Sequence, residues 1–169
     1  MTESSIDDLV IVAVGGNLPG ASGTILENLE SALDHFPISE LMITKRSRWW
    51  RSRAWPDPTA PDYINGVVIV EPSLNPLETL ARLASIEVLF GRDRSEANAP
   101  RSLDLDLIAY GRTRLQTETL ILPHPRANDR LFVMGPLAEI APSWRCPNCG
   151  LTAAQLASRA AVGRDAHPA

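Results

Sequence analysis

The chain is short of lysine, cysteine and aromatic side chains, and each shortage narrows what it can be. Of its 16 basic residues only Lys45 is a lysine, the other 15 being arginines. Acidic residues outnumber them and leave a net charge of −4, which argues against a general nucleic-acid binder with its basic surface. Local anion binding falls to guanidinium groups. Cysteine occurs twice, in Cys146-Pro-Asn-Cys149-Gly. A solitary C-x-x-C lacks the second ligand pair of a structural zinc site and does not open a helix after a βαβ strand. It reads as a turn carrying two thiols, with metal or redox use as the alternative. No run approaches the roughly 18 apolar residues of a membrane span. The acidic start, Met1-Thr-Glu-Ser-Ser-Ile-Asp-Asp, lacks the basic opening of a secretory signal. The expected setting is the cytoplasm, without membrane or nucleic-acid partners. Aromatics make up only 5% of the chain, yet three of its four tryptophans crowd into Trp49, Trp50 and Trp55; core anchors and a platform for a planar ligand both fit that cluster.

What remains is ordinary for a globular protein: 169 residues, 44% hydrophobic and 21% charged, enough to bury a core without staples. One domain is expected over 1–169, with a core of about 9–142 and an extension over 143–169. Residues 9–14, Leu-Val-Ile-Val-Ala-Val, read as a buried central strand. Gly15-Gly16-Asn17-Leu18-Pro19-Gly20 breaks it and serves as a turn or a ligand loop. Thr24 with Glu27 predicts a capped helix start, and Pro37 stops that helix. Residues 39–52 read as a strand, 53–62 as a proline-rich loop and Tyr63–Val70 as another strand. In the latter, Asn65 shares a face with Tyr63, Val67 and Ile69; a buried amide needs partners, either a heterocycle edge or loop backbone. Asn75-Pro76 opens a helix that runs to Gly91. Glu87 lies in its last turn, where the helix dipole disfavours a negative charge unless a cation is near. A helix is expected over about 152–161, followed by a tail that frays.

The densest signal is Pro100-Arg101-Ser102-Leu103-Asp104-Leu105-Asp106-Leu107-Ile108. With period two, Leu103, Leu105 and Leu107 take one face, and Ser102, Asp104, Asp106 and Ile108 the other. The two carboxylates then stand about 6.6 Å apart on one side and repel each other unless a cation lies between them. Hard carboxylate oxygens suit Mg²⁺, which completes its octahedron with water and phosphate oxygens; Arg101 just upstream adds a fork suited to phosphate. The same pattern also fits a solvent-facing strand. The order β-α-β-β-α-β matches a ferredoxin-like, split-βαβ layout of the α+β class: an antiparallel sheet with helices packed on one side, plus the extension.

Taken together, these pieces resemble 6-hydroxymethyl-7,8-dihydropterin pyrophosphokinase. The resemblance runs from about Val12 to Pro142. It rests on Pro100–Asp106, Leu122-Pro123-His124-Pro125-Arg126, Arg130-Leu131-Phe132-Val133 and Pro136–Pro142, with Gly15-Gly16-Asn17-Leu18 and Asp62-Tyr63-Ile64-Asn65 in order before them. It implies transfer of an intact diphosphate from ATP to the hydroxymethyl group of the pterin, releasing AMP. It implies two Mg²⁺ ions on Asp104 and Asp106, with Arg92, Arg101, His124 and Arg130 facing the triphosphate and Glu87 near the metal centre. Asn65 would read the pterin edge, Tyr63 and Phe132 would pack its ring, and Ser52 and Trp55 would border it. In some members of the family the loop before Gly-Pro-Arg holds a tryptophan. Here it reads Asn98-Ala99-Pro100-Arg101, and Arg94 remains as a further ATP contact. The segment 91–101 is expected to act as a lid that orders on ligands. The resemblance further implies a monomer with ATP and the pterin as partners.

Overall fold

The computed structural model describes residues 5–21, 23–54, 56–91 and 102–169. The β-branched run near the start forms β1 (Val10–Gly16), buried almost throughout. Such a strand needs neighbours on both edges, and it has them. It pairs antiparallel with β4 (Tyr63–Val70) on one side and with β5 (Asp104–Tyr110) on the other. Beyond β4 lie β2 (Ile43–Arg46) and β3 (Trp50–Ser52), and β8 (His167–Pro168) adds to β3. A separate two-stranded ribbon, β6 (Leu115–Gln116) with β7 (Ile121–Leu122), stands beside β5.

Alternation along the strands splits the apolar side chains between two cores. On one face Val10, Val12, Val14, Leu105 and Leu107 meet Leu29 and Leu33 of α1 (Ile25–Asp34) and Leu83 and Ile86 of α2 (Pro76–Leu89). Both helices begin as read from the sequence. The Thr24 hydroxyl accepts the Glu27 N–H at 3.1 Å. Asn75 and Glu78 cap each other's backbone at 2.8 and 3.1 Å, a reciprocal arrangement that stabilises a helix start by about 1 kcal/mol.

The ferredoxin-like layout is present, but helices do not keep to one side. Ile11, Val67, Ile69 and Ile108 point to the opposite face, which is covered by α3 (Leu131–Ile140) and α4 (Ala153–Arg159) together with the fully buried Trp144 and Cys146. The long antiparallel sheet is apolar on both faces and so requires two covers. The 39–52 segment is two strands rather than one. At the break, Ser47 Oγ accepts the Val67 N–H (2.9 Å) while Ser47 N–H donates to Val67 O (2.9 Å), so a side chain replaces a rung of the ladder. The residues expected to fray are pinned: β8 pairs with β3, and Ala169 N–H donates to Trp49 O at 2.9 Å. Among the described residues no helix is long and apolar enough to cross a membrane.

Candidate active site

Directly paired residues of antiparallel strands share a face, and the register lays the predicted site across the sheet as a row. Asp104 stands opposite Gly15, Gly15 opposite Asn65, and Asn65 opposite Trp50. One step inward, Asp106 faces Ala13, and Ala13 faces Val67. Both aspartates therefore lie on the face that α3 and α4 cover, half-buried at the margin of that core, while Leu103, Leu105 and Leu107 fill the other core as the alternation requires.

Gly15 makes the row passable. A Cβ there would come 2.2 Å from Asn65 Oδ1, so the amide crosses the backbone of β1, and only glycine leaves it room. Tyr63 pairs with Ser52 two residues before Asn65. Both sit on the same strands as Asn65 and Trp50, which brings three of the predicted pterin contacts to one corner. Phe132 lies in the first turn of α3, and the Arg130 guanidinium stacks over its ring at 5.7 Å, a cation–π contact.

On the other side of the aspartates, Glu87 is 3% exposed, and its carboxylate accepts the Leu105 N–H at 3.1 Å. It thus bonds to the strand between the two aspartates. His124 follows the cis peptide Leu122–Pro123. Its Nδ1 accepts the Arg126 N–H at 3.2 Å, which assigns the proton of the neutral ring to Nε2. Burial lowers its pKa, and the positive charges of Arg130 and Arg126 lower it further, against the opposing pull of Asp104. The imidazole is therefore a neutral Nε2–H donor at neutral pH. A cleft of about 270 Å³ opens beside it, lined by Leu80, Asp106, Leu107, Leu120, Ile121 and His124, near the lower end of small-ligand sites.

Among the described residues no three His, Cys, Asp or Glu side chains are grouped to hold a metal. A strand-borne pair of carboxylates with room for water and phosphate oxygens fits Mg²⁺, which rarely takes an all-protein cage. Of the predicted site residues, Ser52, Tyr63, Asn65, Glu87, Asp104, Asp106, His124, Arg130 and Phe132 are placed by β3, β4, α2, β5, the segment after β7 and the start of α3. Trp55, Arg92, Arg94 and Arg101, with the expected lid, lie outside the described residues. The sequence reading missed the Gly15–Asn65 contact and the amide of Arg126 on His124. No local pattern marks either, since one joins strands far apart in sequence and the other is a backbone group.

The two adjacent tryptophans prove to be anchors. Trp49 N–H donates to Glu30 of α1 at 2.8 Å, and Trp50 N–H donates to Glu139 of α3 at 2.7 Å. One binds the sheet to the cover of one face, the other to the cover of the opposite face.

Residues 11–142 match the model of the family described as 7,8-dihydro-6-hydroxymethylpterin-pyrophosphokinase. A 2-amino-4-hydroxy-6-hydroxymethyldihydropteridine pyrophosphokinase of Synechocystis is 46% identical over 147 residues, 86% of this chain and 73% of the relative. The enzyme of the same name from Haemophilus influenzae is 36% identical over 138 residues, 81% of this chain and 84% of the relative. In three dimensions the chain is similar to wild-type Plasmodium falciparum HPPK-DHPS solved with pteroate, with a TM-score of 0.67 at 11% identity. That likeness covers 89% of this chain and 42% of the longer one, and it speaks to the fold alone. Family match, relatives and fold agree, and the chain belongs to the 7,8-dihydro-6-hydroxymethylpterin-pyrophosphokinase family.

Proposed function

We propose that the row Asp104–Gly15–Asn65 is where this pyrophosphokinase joins its two substrates, ATP at the aspartate end and the hydroxymethyldihydropterin at the asparagine end. The observation that carries the reading is the register itself, which sets a carboxylate pair and an amide on one face with only a glycine between them. Asp104 and Asp106 would hold Mg²⁺, two ions with the nucleotide. Bound there, the metal would neutralise phosphate charge and favour in-line displacement at the β-phosphorus.

The chain's own residues do the positioning. Asn65 offers both a donor and an acceptor to the edge of the pterin, and Tyr63 and Phe132 supply flat apolar surfaces for its ring. Ser52 borders that slot, and the family resemblance assigns Trp55 to the same border. Held so, the hydroxymethyl oxygen meets the β-phosphorus as an intramolecular partner. His124 Nε2–H and the Arg130 guanidinium donate toward phosphate oxygens, and the family resemblance assigns Arg92, Arg94 and Arg101 to the same task. Donors fixed before the reaction cost no reorganisation during it. The cleft beside Asp106 and His124 takes the nucleoside end of ATP. As the new O–P bond forms and the bond to AMP breaks, the hydroxyl proton leaves toward the carboxylates of Asp104, Asp106 and Glu87. The chain acts as a monomer in the cytoplasm, within one domain.

The test is incubation with ATP, Mg²⁺ and the reduced pterin, with nucleotide products separated by chromatography. AMP and the pterin diphosphate in equal amounts are expected. ADP in place of AMP would mean a different phosphoryl transfer, and absence of Mg²⁺-dependent ATP binding would mean a non-catalytic module.

A further inference from the structure

Residues 160–169 lie beyond the family match at 11–142, yet they touch both walls of the slot just assigned to the pterin. Val162 lies parallel to Arg130. Leu131 N–H donates to Val162 O, and Val162 N–H donates to Asp129 O, both at 2.9 Å. Ala161 N–H adds a bond to Asp129 Oδ1 at 3.0 Å. This fastens the segment to the start of α3, one residue from Phe132. Gly163 follows with φ +71°, and a Cβ there would lie 2.5 Å from Phe132 Cδ1 and 3.1 Å from Cε1. The Phe132 ring therefore rests against a residue that only glycine can be, by backbone conformation and by space. The chain then turns, with Ala166 N–H donating to Gly163 O at 2.9 Å. Asp165 Oδ2 next accepts the N–H of Arg53 at 2.7 Å. Arg53 directly follows Ser52, which is buried at 5% exposure and pairs with Tyr63.

Four consecutive residues thus span the distance from the aromatic wall on α3 to the Ser52 corner of the sheet. We propose that Val162–Asp165 is a positioning clip for the pterin slot, with Gly163 setting where the Phe132 ring stands and Asp165 fixing the backbone beside Ser52. The bond from Asp165 is a carboxylate-to-amide contact, shorter and stronger than a neutral pair, and it joins elements that no other described hydrogen bond of Arg53 joins. The clip ties the two walls together before substrate arrives, so less ordering remains to be done on binding. None of its residues touches the reacting atoms. The clip rests on the assignment of Ser52 and Phe132 to the pterin made above.

A simpler role for the same segment is to cover the outer edge of β3, where β8 pairs. The two roles separate by kinetics. Edge cover alone predicts that clip variants lower thermal stability and leave the ratio of the two KM values unchanged. A clip predicts that Asp165→Ala raises the pterin KM about tenfold, with the ATP KM changed less than about twofold, because a small displacement of a binding wall acts on the ligand it faces. Asp165→Asn keeps an oxygen that can accept the Arg53 N–H and should recover most of the loss, which a purely charge-based effect would not allow. Gly163→Ala should raise the pterin KM in the same way by displacing Phe132. Equilibrium binding followed by the intrinsic fluorescence of the pterin gives the second readout and needs no turnover. If Gly163→Ala does not fold, the Asp165 pair decides alone. An active parent whose Asp165→Ala variant keeps its pterin affinity, or loses pterin and ATP affinity equally, overturns the clip and leaves the functional reading standing. A parent that forms no AMP from ATP and the pterin overturns that reading, and the clip with it.

Discussion

Asp104 and Asp106 sit on the same side of β5 as Asn65 does on β4, with Gly15 between them. Replacing either aspartate by Ala should cut AMP formation by about 10³-fold or more, since several kcal/mol of charge stabilisation depends on them. The fold should be retained, as read by circular dichroism, and calorimetric Mg²⁺-ATP binding should weaken. Near-normal turnover in either variant would remove the proposed metal position. Asn65→Ala should weaken the pterin by about 1–3 kcal/mol, the cost of leaving ring donors and acceptors unpaired, while titration with ATP alone stays unchanged. Gly15→Ala should imitate it, because the new methyl occupies the space of Asn65 Oδ1; an unaltered pterin affinity there would separate the two residues. The aspartate pair was legible because period two alone places both carboxylates opposite three leucines. The partnership of Asn65 with Gly15 was not, because the 49 intervening residues carry no trace of which strands become neighbours.

At the scale of elements, two carboxylates do similar work on opposite faces of the sheet. Glu30 on α1 receives both terminal nitrogens of Arg46, at 3.1 and 2.6 Å, and the indole N–H of Trp49. Glu139 on α3 receives the Arg48 backbone and guanidinium and the indole N–H of Trp50. The bonds from Arg46, and after them that from Trp49, hold the Glu30 carboxyl below its ordinary value of 4.5 against the opposing effect of burial. A group lowered in this way stabilises the fold fully above its unfolded pKa, and the contribution is lost as pH falls through the folded value. Glu30→Gln should therefore be less stable than the parent near neutrality, by on the order of 0.5–1 kcal/mol for a pair this exposed. The gap should close as pH drops below about 4.5, as read by urea midpoints at a series of pH values. A gap of constant size across that range would assign the effect to packing. Trp49 directly precedes β3 and Trp50 opens it, and neighbouring residues of an extended segment point to opposite sides, so their division of labour was available from the sequence once two covered faces were known. The second cover was not, because α3 carries Gly135 and Pro136 within its ten residues and is buried along most of its length. Proline argues against a helix interior, and a helix apolar nearly all round lacks the polar stripe that marks the period.

For the molecule as a whole, the extension over 143–169 belongs to the structure rather than trailing from it. Trp144 is fully buried between the sheet and α4, and its indole N–H meets no acceptor among the described residues. Trp144→Ala should cost about 3–5 kcal/mol of unfolding free energy. Trp144→Phe should cost far less, since it gives up part of the volume and also removes a polar group buried without a partner. Denaturant titrations of both variants check this; equal losses would place the energy in the indole nitrogen. The two cysteines lie in a turn beside that tryptophan, with Gly150 N–H donating to Cys146 O at 2.8 Å, and they are not joined in a disulfide.

The position of β1 at the middle of the sheet has a consequence for how the protein comes off the ribosome. The strand is made before its partner, and the edge that meets β5 stays open until Asp104–Tyr110 emerges, about 90 residues later. At roughly 5–20 residues per second that is an interval on the order of 5–20 s, during which a β-branched, uncharged stretch is exposed to other nascent chains. No fragment released in that interval can hold the row from Asp104 to Trp50, so partial synthesis yields neither activity nor a safe edge. Val10–Gly16 is thus the segment on which a holding chaperone would act, and slow decoding before β5 would favour aggregation over a merely delayed enzyme.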